Sequence, residues 1–211
     1  MLTWDAEHHT YRDDDGDLLT TVDLVAIRDE LAARGETETA ALADRLLSGA
    51  IDRETWERGL QRLIVTLMTS GYVFGRGGIA RMDDEDYDAL SAEIERQSAY
   101  IQRFRTDLDL DSVSDAQLVS RSALYAGVAV MMYELGRSRA HGIQYPAYPG
   151  DTPCLTRCRC RWDTVDKGDT WECTWVLSGG DSCTGCRDNA NRWASLIISK
   201  ATGDIVPDMP V

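Results

Sequence analysis

Lysine is almost absent from this chain. Lys167 and Lys200 are the only two lysines among 22 basic side chains, whereas acidic side chains number 36. The net charge of −14 argues against a surface that wraps a nucleic acid, because phosphate binding requires clustered Lys and Arg. Any DNA contact would therefore be local. The excess of acids and the preference for Arg over Lys are typical of a GC-rich or salt-adapted source.

Long apolar runs are also missing, since no run of eighteen apolar residues occurs. The sequence therefore predicts no membrane-spanning helix and no membrane partner. The N-terminal residues, with Asp5, Glu7 and three consecutive aspartates at 13–15, lack the basic and apolar regions of a secretory signal. We expect a soluble protein that is made in the cytosol.

Catalytic patterns are lacking as well. His8, His9 and His141 are scattered and have no metal-ligand spacing. No Ser-His-Asp, paired-carboxylate or nucleotide-binding pattern occurs. The glycine-rich residues 71–78 have no adjoining Lys-Ser or Lys-Thr, which favours an interhelix connection over a phosphate loop. The sequence predicts a protein that is not an enzyme.

Residues 18–140 show the apolar period of helices, after an acidic N-terminal segment at 1–17. Helix-stop signals at Arg34-Gly35, Ser48-Gly49 and Ser70-Gly71, together with capping residues, divide this region. The fold class is predicted to be mainly α, a bundle of about five helices. The predicted helices cover residues 18–34, 37–47, 52–70, 83–105 and 114–136.

The remainder divides into three parts by composition. Residues 141–153 contain Tyr145-Pro146 and Tyr148-Pro149-Gly150 and are predicted to be an extended linker. Residues 154–195 contain the six cysteines and form a predicted Cys-rich module. Residues 196–211 are predicted to be a C-terminal tail.

Five of the six cysteines lie at the two ends of residues 154–186, as Cys154, Cys158 and Cys160 and then Cys183 and Cys186. Between them, residues 161–165 and 170–177 predict a β-hairpin that brings those ends together. Cys173 lies inside the hairpin, on one face with Trp171 and Trp175. A short helix is predicted over residues 187–195, and the order of elements is that of a treble-clef zinc module.

Structural zinc suits this module, because four thiolates satisfy its tetrahedral preference. Disulfides are the rival crosslink, which a cytosolic origin disfavours and a mature extracellular particle permits. Cys183 and Cys186 are the first predicted pair of ligands. Cys158 and Cys160 are the preferred second pair, although a regular strand would hold them about 6.6 Å apart and a bend is needed. Cys154 is the possible replacement.

Alternation along the same strand sends Arg157, Arg159 and Arg161 to the opposite face. Three arginines on one strand face are candidate phosphate contacts. In an acidic protein, pairing with neighbouring carboxylates is the other interpretation, and both stay open at this point.

The order of motifs resembles the minor head, or head-morphogenesis, proteins of tailed phages and archaeal viruses. The resemblance covers about residues 55–195, and its most specific part is the cysteine block that begins at Cys154 and ends at Cys186 with Trp193. Members often place His before the first cysteine of the final pair, where this chain has Ser182. The other segments are Gly75-Arg-Gly-Gly78, Gln97-Ser-Ala-Tyr100-Ile-Gln-Arg-Phe104, Arg121-Ser-Ala-Leu-Tyr125, Tyr148-Pro-Gly-Asp151 and Trp175-Val-Leu177.

The resemblance implies a structural virion protein inside the capsid, in contact with the portal protein or inner shell. Such a protein would be present in multiple copies and assist head assembly, genome packaging or ejection. The alternative is a nucleic-acid-binding zinc module on an acidic helical carrier, with contacts from the three strand arginines and from Arg187 and Arg192.

Overall fold

A computed structural model of the chain describes residues 2–150, 158–179 and 182–206. It confirms a mainly helical fold with a small antiparallel β-sheet near the C-terminus. None of the described helices is long and apolar enough to cross a membrane. The elements are β1 Thr3–Asp5, β2 Thr10–Arg12, α1 Thr21–Leu47, α2 Arg53–Arg76, α3 Asp84–Asp109, α4 Asp115–Leu124, α5 Val128–Ala140, β3 Arg161–Asp166, β4 Thr170–Val176, α6 Thr184–Arg192 and β5 Leu196–Ser199.

Helix α1 is one continuous helix, so the predicted break at Arg34-Gly35 is wrong. It begins with a capping box between Thr20 and Asp23. Gly35 lies on the buried face of α1, where an added Cβ would come within 2.7 Å of a methyl group of Leu67. This glycine therefore permits close packing of α1 against α2 and does not end the helix.

Helices α2 and α5 are in closest contact through glycines. A Cβ added at Gly71 or Gly75 of α2 would overlap a backbone carbonyl of α5, and one added at Gly136 of α5 would overlap a carbonyl of α2. The prediction that α2 ends at Ser70-Gly71 and that a flexible connection follows is thus wrong. The helix continues to Arg76 and ends at Gly77, which has a φ of 93°.

The predicted helix over residues 114–136 is two helices, α4 and α5, joined by a 3-10 turn at Tyr125–Gly127. Ser114 caps α4 and Asp83 caps α3, as their sequence positions predict. Helices α1 to α5 enclose the main apolar core. Its largest fully buried members are Trp56, Leu60, Ile64, Met68, Tyr72, Ile101, Phe104 and Met132.

The N-terminal segment forms a β1–β2 hairpin that packs on the helices. Tyr11 is buried, its hydroxyl donates to the carbonyl oxygen of Phe74 at 2.9 Å, and its ring stacks on that of Phe74. Each strand has only three residues, which is too short for an alternation pattern to predict.

The C-terminal sheet has the order β3-β4-β5 and is antiparallel throughout. The predicted hairpin is confirmed, with Trp162 opposite Trp175. Strand β5 lies at the start of the predicted tail and pairs with β4, Thr170 being opposite Ser199. Helix α6 begins at Thr184, three residues before the predicted start.

The segment before the cysteines joins the core of this sheet. Tyr145 is buried, stacks on Trp162 with ring centroids 4.9 Å apart, and shares a 2.6 Å hydrogen bond with the Thr164 hydroxyl. The indole N–H of Trp162 donates to the carbonyl oxygen of Ala147 at 2.9 Å. Tyr145 and Ala147, which belong to the predicted linker, thus pack against the sheet.

Candidate metal centre

Three cysteine sulfur atoms meet beside the sheet. The Sγ atoms of Cys158, Cys160 and Cys186 all lie within 4.8 Å of one another, and all three residues are buried. Cys158 and Cys160 precede β3 in irregular backbone, and Cys186 lies in the first turn of α6. The backbone before β3 therefore provides the bend that this pair requires.

The spacing of the sulfur atoms suits a metal ion better than a disulfide. The Sγ atoms of Cys158 and Cys186 are 3.5 Å apart, whereas a disulfide bond is about 2.05 Å long. Two thiolates bound to one tetrahedral zinc ion at about 2.3 Å would lie about 3.8 Å apart. This group of three buried cysteines could hold a metal ion.

Cys183 lies at the N-cap of α6 and is not part of the close group of three. Its sulfur accepts a hydrogen bond from the backbone N–H of Cys186 at 3.4 Å. The cap therefore orders the turn that places Cys186 in the centre. Cys154, the possible replacement ligand, lies outside the described residues, as does Arg157.

The neighbouring thiols of Cys158 and Cys160 have pKa values that are shifted in opposite directions. A hydrogen bond from the Cys158 thiol to the Cys160 sulfur lowers the pKa of Cys160 below its usual range, although burial acts in the opposite direction. The same contact, together with burial, raises the pKa of Cys158. One sulfur is thus favoured as a thiolate, which is the form that binds metal ions.

Cys173 is buried but belongs to the apolar core of the sheet. It lies on β4 between Trp171 and Trp175, which are buried on the same face, as their two-residue spacing predicts. Burial raises the pKa of its thiol. Cys173 is not one of the three clustered cysteines.

The two candidate phosphate-contact arginines within the described residues both face carboxylates. Arg159 pairs with Glu36 of α1, and Arg161 pairs with Asp163 at 2.9 Å. Both side chains are more than three-quarters buried, at 23% and 22% exposed. A phosphate would have to displace these carboxylates to reach either guanidinium.

A buried ionic network joins the cysteine-bearing segment to the helices. Arg28 of α1 and Glu134 of α5 have no exposed side-chain surface and form an ion pair at 3.1 Å. The Arg28 guanidinium also donates to the carbonyl oxygens of Arg159 at 3.0 Å and Cys160 at 3.4 Å. Arg137 of α5 donates to the carbonyl oxygen of Trp162.

Burial raises the pKa of Glu134, and the guanidinium groups of Arg137 and Arg28 oppose that shift. A fully buried carboxylate depends on such cations, because an unpaired buried charge is costly. Sequence reasoning missed these residues. The sequence feature that could have identified them is a single charged residue on an otherwise apolar helix face. Arg28, for example, lies four residues after Leu24 and four before Ala32, and all three are buried.

No family model, curated protein or solved structure matches this chain. The resemblance to minor head proteins and the treble-clef arrangement therefore stay predictions.

Proposed function

We propose that Cys158, Cys160 and Cys186 hold a structural zinc ion, with Cys183 as the fourth ligand and Cys154 as its alternative. The observation that carries this proposal is the group of three buried sulfur atoms within 4.8 Å of one another. Thiolates are soft ligands that suit zinc, and a set of four fills its tetrahedral coordination. Such a closed site leaves no position for a substrate, so its role is structural.

A crosslink is useful in this module because its elements are short. The sheet has strands of six, seven and four residues, and α6 has nine residues. Elements of this size bury little apolar surface by themselves and usually need a metal, disulfides or a larger partner. The zinc ion would join the segment before β3 to the start of α6.

For the whole chain, we propose the role of a non-catalytic, structural minor head protein of a tailed virus. It would lie inside the capsid near the portal and assist head assembly, genome packaging or ejection. The motif resemblance supports this role. A module fastened to a helical body by a buried ionic network is also suited to an assembly component that must keep one shape.

The alternative, a nucleic-acid-binding zinc module, has less support from the geometry. Arg159 and Arg161 already contact Glu36 and Asp163, and the net charge of the chain is −14. Binding to duplex DNA that weakens steeply with salt and with loss of these arginines would favour this alternative.

Native mass spectrometry of the full chain, with and without reductant, tests the metal proposal. We expect one zinc ion per chain, lost in Cys186→Ala and kept in the matched control Cys173→Ala, which removes an equally buried thiol outside the group. The zinc content of Cys183→Ala, compared with that of Cys154→Ala, identifies the fourth ligand. A metal-free chain that has lost two hydrogens per cysteine pair would instead indicate disulfides.

The virion role has a separate test, which is proteomic analysis of purified virus particles. We expect the chain in several copies per particle and its release together with portal components on mild disruption. Particles that contain no copy of the chain would contradict the virion role and leave the metal proposal standing.

A further inference from the structure

A second candidate site lies away from the cysteines, in a groove between α3 and α4. This α3–α4 groove has a volume of about 840 Å³ and extends to Met131 of α5 and to Gly150. The described residues that line it include no cysteine and no member of the Arg28 network. The groove is therefore a separate feature from the cluster of Cys158, Cys160 and Cys186.

The charge of the groove is opposite to that of the chain. Among the described residues that line it, three are arginines, Arg96, Arg103 and Arg121, and one, Asp107, is acidic. Over the whole chain, acidic side chains outnumber basic ones by 36 to 22. This local positive charge complements a negatively charged ligand.

Contacts with neighbouring side chains hold these arginines in place. The guanidinium of Arg121 lies over the Phe104 ring, 4.0 Å from its centroid, and pairs with Asp107 at 2.9 Å. Arg103 lies 5.9 Å from the centroid of the Tyr100 ring. Within the described residues Arg103 forms no ion pair with a carboxylate, so its charge is available to a ligand.

The rest of the lining is aromatic and apolar. Tyr100 is 45% exposed, and Tyr125, Leu124 and Met131 form the walls beside it. The ring of Tyr125 stacks on Phe104, which anchors it to the core. Tyr, Arg and Met are the residues that protein interfaces favour over the remaining surface.

This combination suits a peptide better than a nucleic acid strand. A single strand requires a basic track along several successive phosphates, whereas here Arg121 is paired with Asp107 and Arg96 pairs with Glu93 at 2.6 Å. A peptide needs one carboxylate contact and one apolar anchor. We propose that the α3–α4 groove binds an acidic segment of a partner protein, with a carboxylate at Arg103 and an apolar side chain against Tyr100.

Fluorescence anisotropy with three labelled probes tests this proposal on the full chain at low ionic strength. The first probe is a short peptide in which glutamates alternate with leucine and phenylalanine. The second has lysine in place of each glutamate, and the third is a single-stranded oligothymidylate. We expect the acidic peptide alone to bind.

The matched variants are Arg103→Glu in the groove and Arg34→Glu on α1, since both arginines are exposed on helix surfaces. Arg103→Glu should weaken binding of the acidic peptide by about tenfold or more, while Arg34→Glu leaves it unchanged. Circular dichroism shows whether both variants stay folded. Equal affinities of the two variants would overturn the proposal, as would a failure of the acidic peptide to bind, whether or not the oligothymidylate binds.

Discussion

Replacement of Arg28 by methionine should be among the most destabilising single changes in the chain. Arg28→Met keeps most of the side-chain length but removes the charge and every donor. Glu134 then stays buried without its 3.1 Å partner, and two backbone carbonyls lose a donor. Removal of one member of a buried ion pair typically costs about 3–5 kcal/mol. A domain has only about 5–15 kcal/mol of stability in total.

Urea unfolding, followed by circular dichroism and tryptophan fluorescence, measures this loss. The matched control is Arg34→Met in the same helix, because Arg34 is 66% exposed and lies 3.9 Å from Glu30. An exposed pair of this kind is worth at most about 0.5 kcal/mol. We therefore expect the two substitutions to differ by at least about 2.5 kcal/mol in their free energy of unfolding.

A double-mutant cycle separates the ion pair from simple loss of packing. Glu134→Met alone should also be strongly destabilising, because it removes the fully buried carboxylate that compensates Arg28 and Arg137 and leaves Arg28 with Asp29 alone. In the double variant neither charge remains, so its cost should fall below the sum of the single costs by at least about 2 kcal/mol. Additive costs, or an Arg28→Met variant as stable as Arg34→Met, would refute the reasoning.

Three other predictions follow from the packing, the buried histidine and the metal centre. Gly75→Ala should lower the free energy of unfolding by about 2–3 kcal/mol in urea, because the added Cβ would overlap a backbone carbonyl of α5. The control is Gly59→Ala in the same helix, where the added Cβ meets only the end of the Leu42 side chain. This control should cost less than about 1 kcal/mol. Burial, aided by Arg137, lowers the pKa of His141 to about 3. As the pH falls, the unfolded state therefore takes up the proton first, and the free energy of unfolding should fall by about 1 kcal/mol per pH unit from about pH 6.5 towards about pH 4. In unfolding measured at several pH values, His141→Gln should flatten that slope. Chelation of the proposed zinc ion should lower the melting temperature of the protein by several degrees in calorimetry, and added zinc should restore it. A melting temperature that responds to neither treatment would count against the site.

The sequence predicts the sheet well because its signals are local. Alternation of apolar side chains places Trp171, Cys173 and Trp175 on one face, and the turn residues 166–169 set the register. Local sequence signals do not predict the elements at the edges of the module. Strand β5 has four residues, which is too short for a pattern to distinguish it from a tail.

Glycine accounts for the errors in the helical part. Gly35 and Gly71 have the local signature of a helix end, because glycine favours the C-terminal position of helices. In the structure they allow a neighbouring helix to approach, which depends on a partner that is distant in sequence. Sequence spacing gives a hint only in Gly71 and Gly75, which lie four residues apart on one helix face.

The metal centre was partly predictable for a similar reason. Spacing indicates which cysteines lie near one another, and the structure brings together three of the four preferred ligands, Cys158, Cys160 and Cys186. The position of the sulfur atoms depends on irregular backbone before β3, which no periodicity describes. The α3–α4 groove could not be predicted from the sequence, because Arg103 and Arg121 lie on different helices that only the fold brings together.

The backbone before β3 is held from two sides. The side chains of Cys158 and Cys160 turn into the cysteine cluster, while the carbonyl oxygens of Arg159 and Cys160 accept hydrogen bonds from Arg28. Because the two sets of contacts act on adjacent atoms of the same short segment, they constrain each other's geometry. A change in Arg28 should therefore alter the affinity of the cysteines for a metal ion, even though Arg28 contacts none of the three sulfur atoms. The reciprocal holds by linkage, so that metal binding would strengthen the attachment of this segment to α1 and α5.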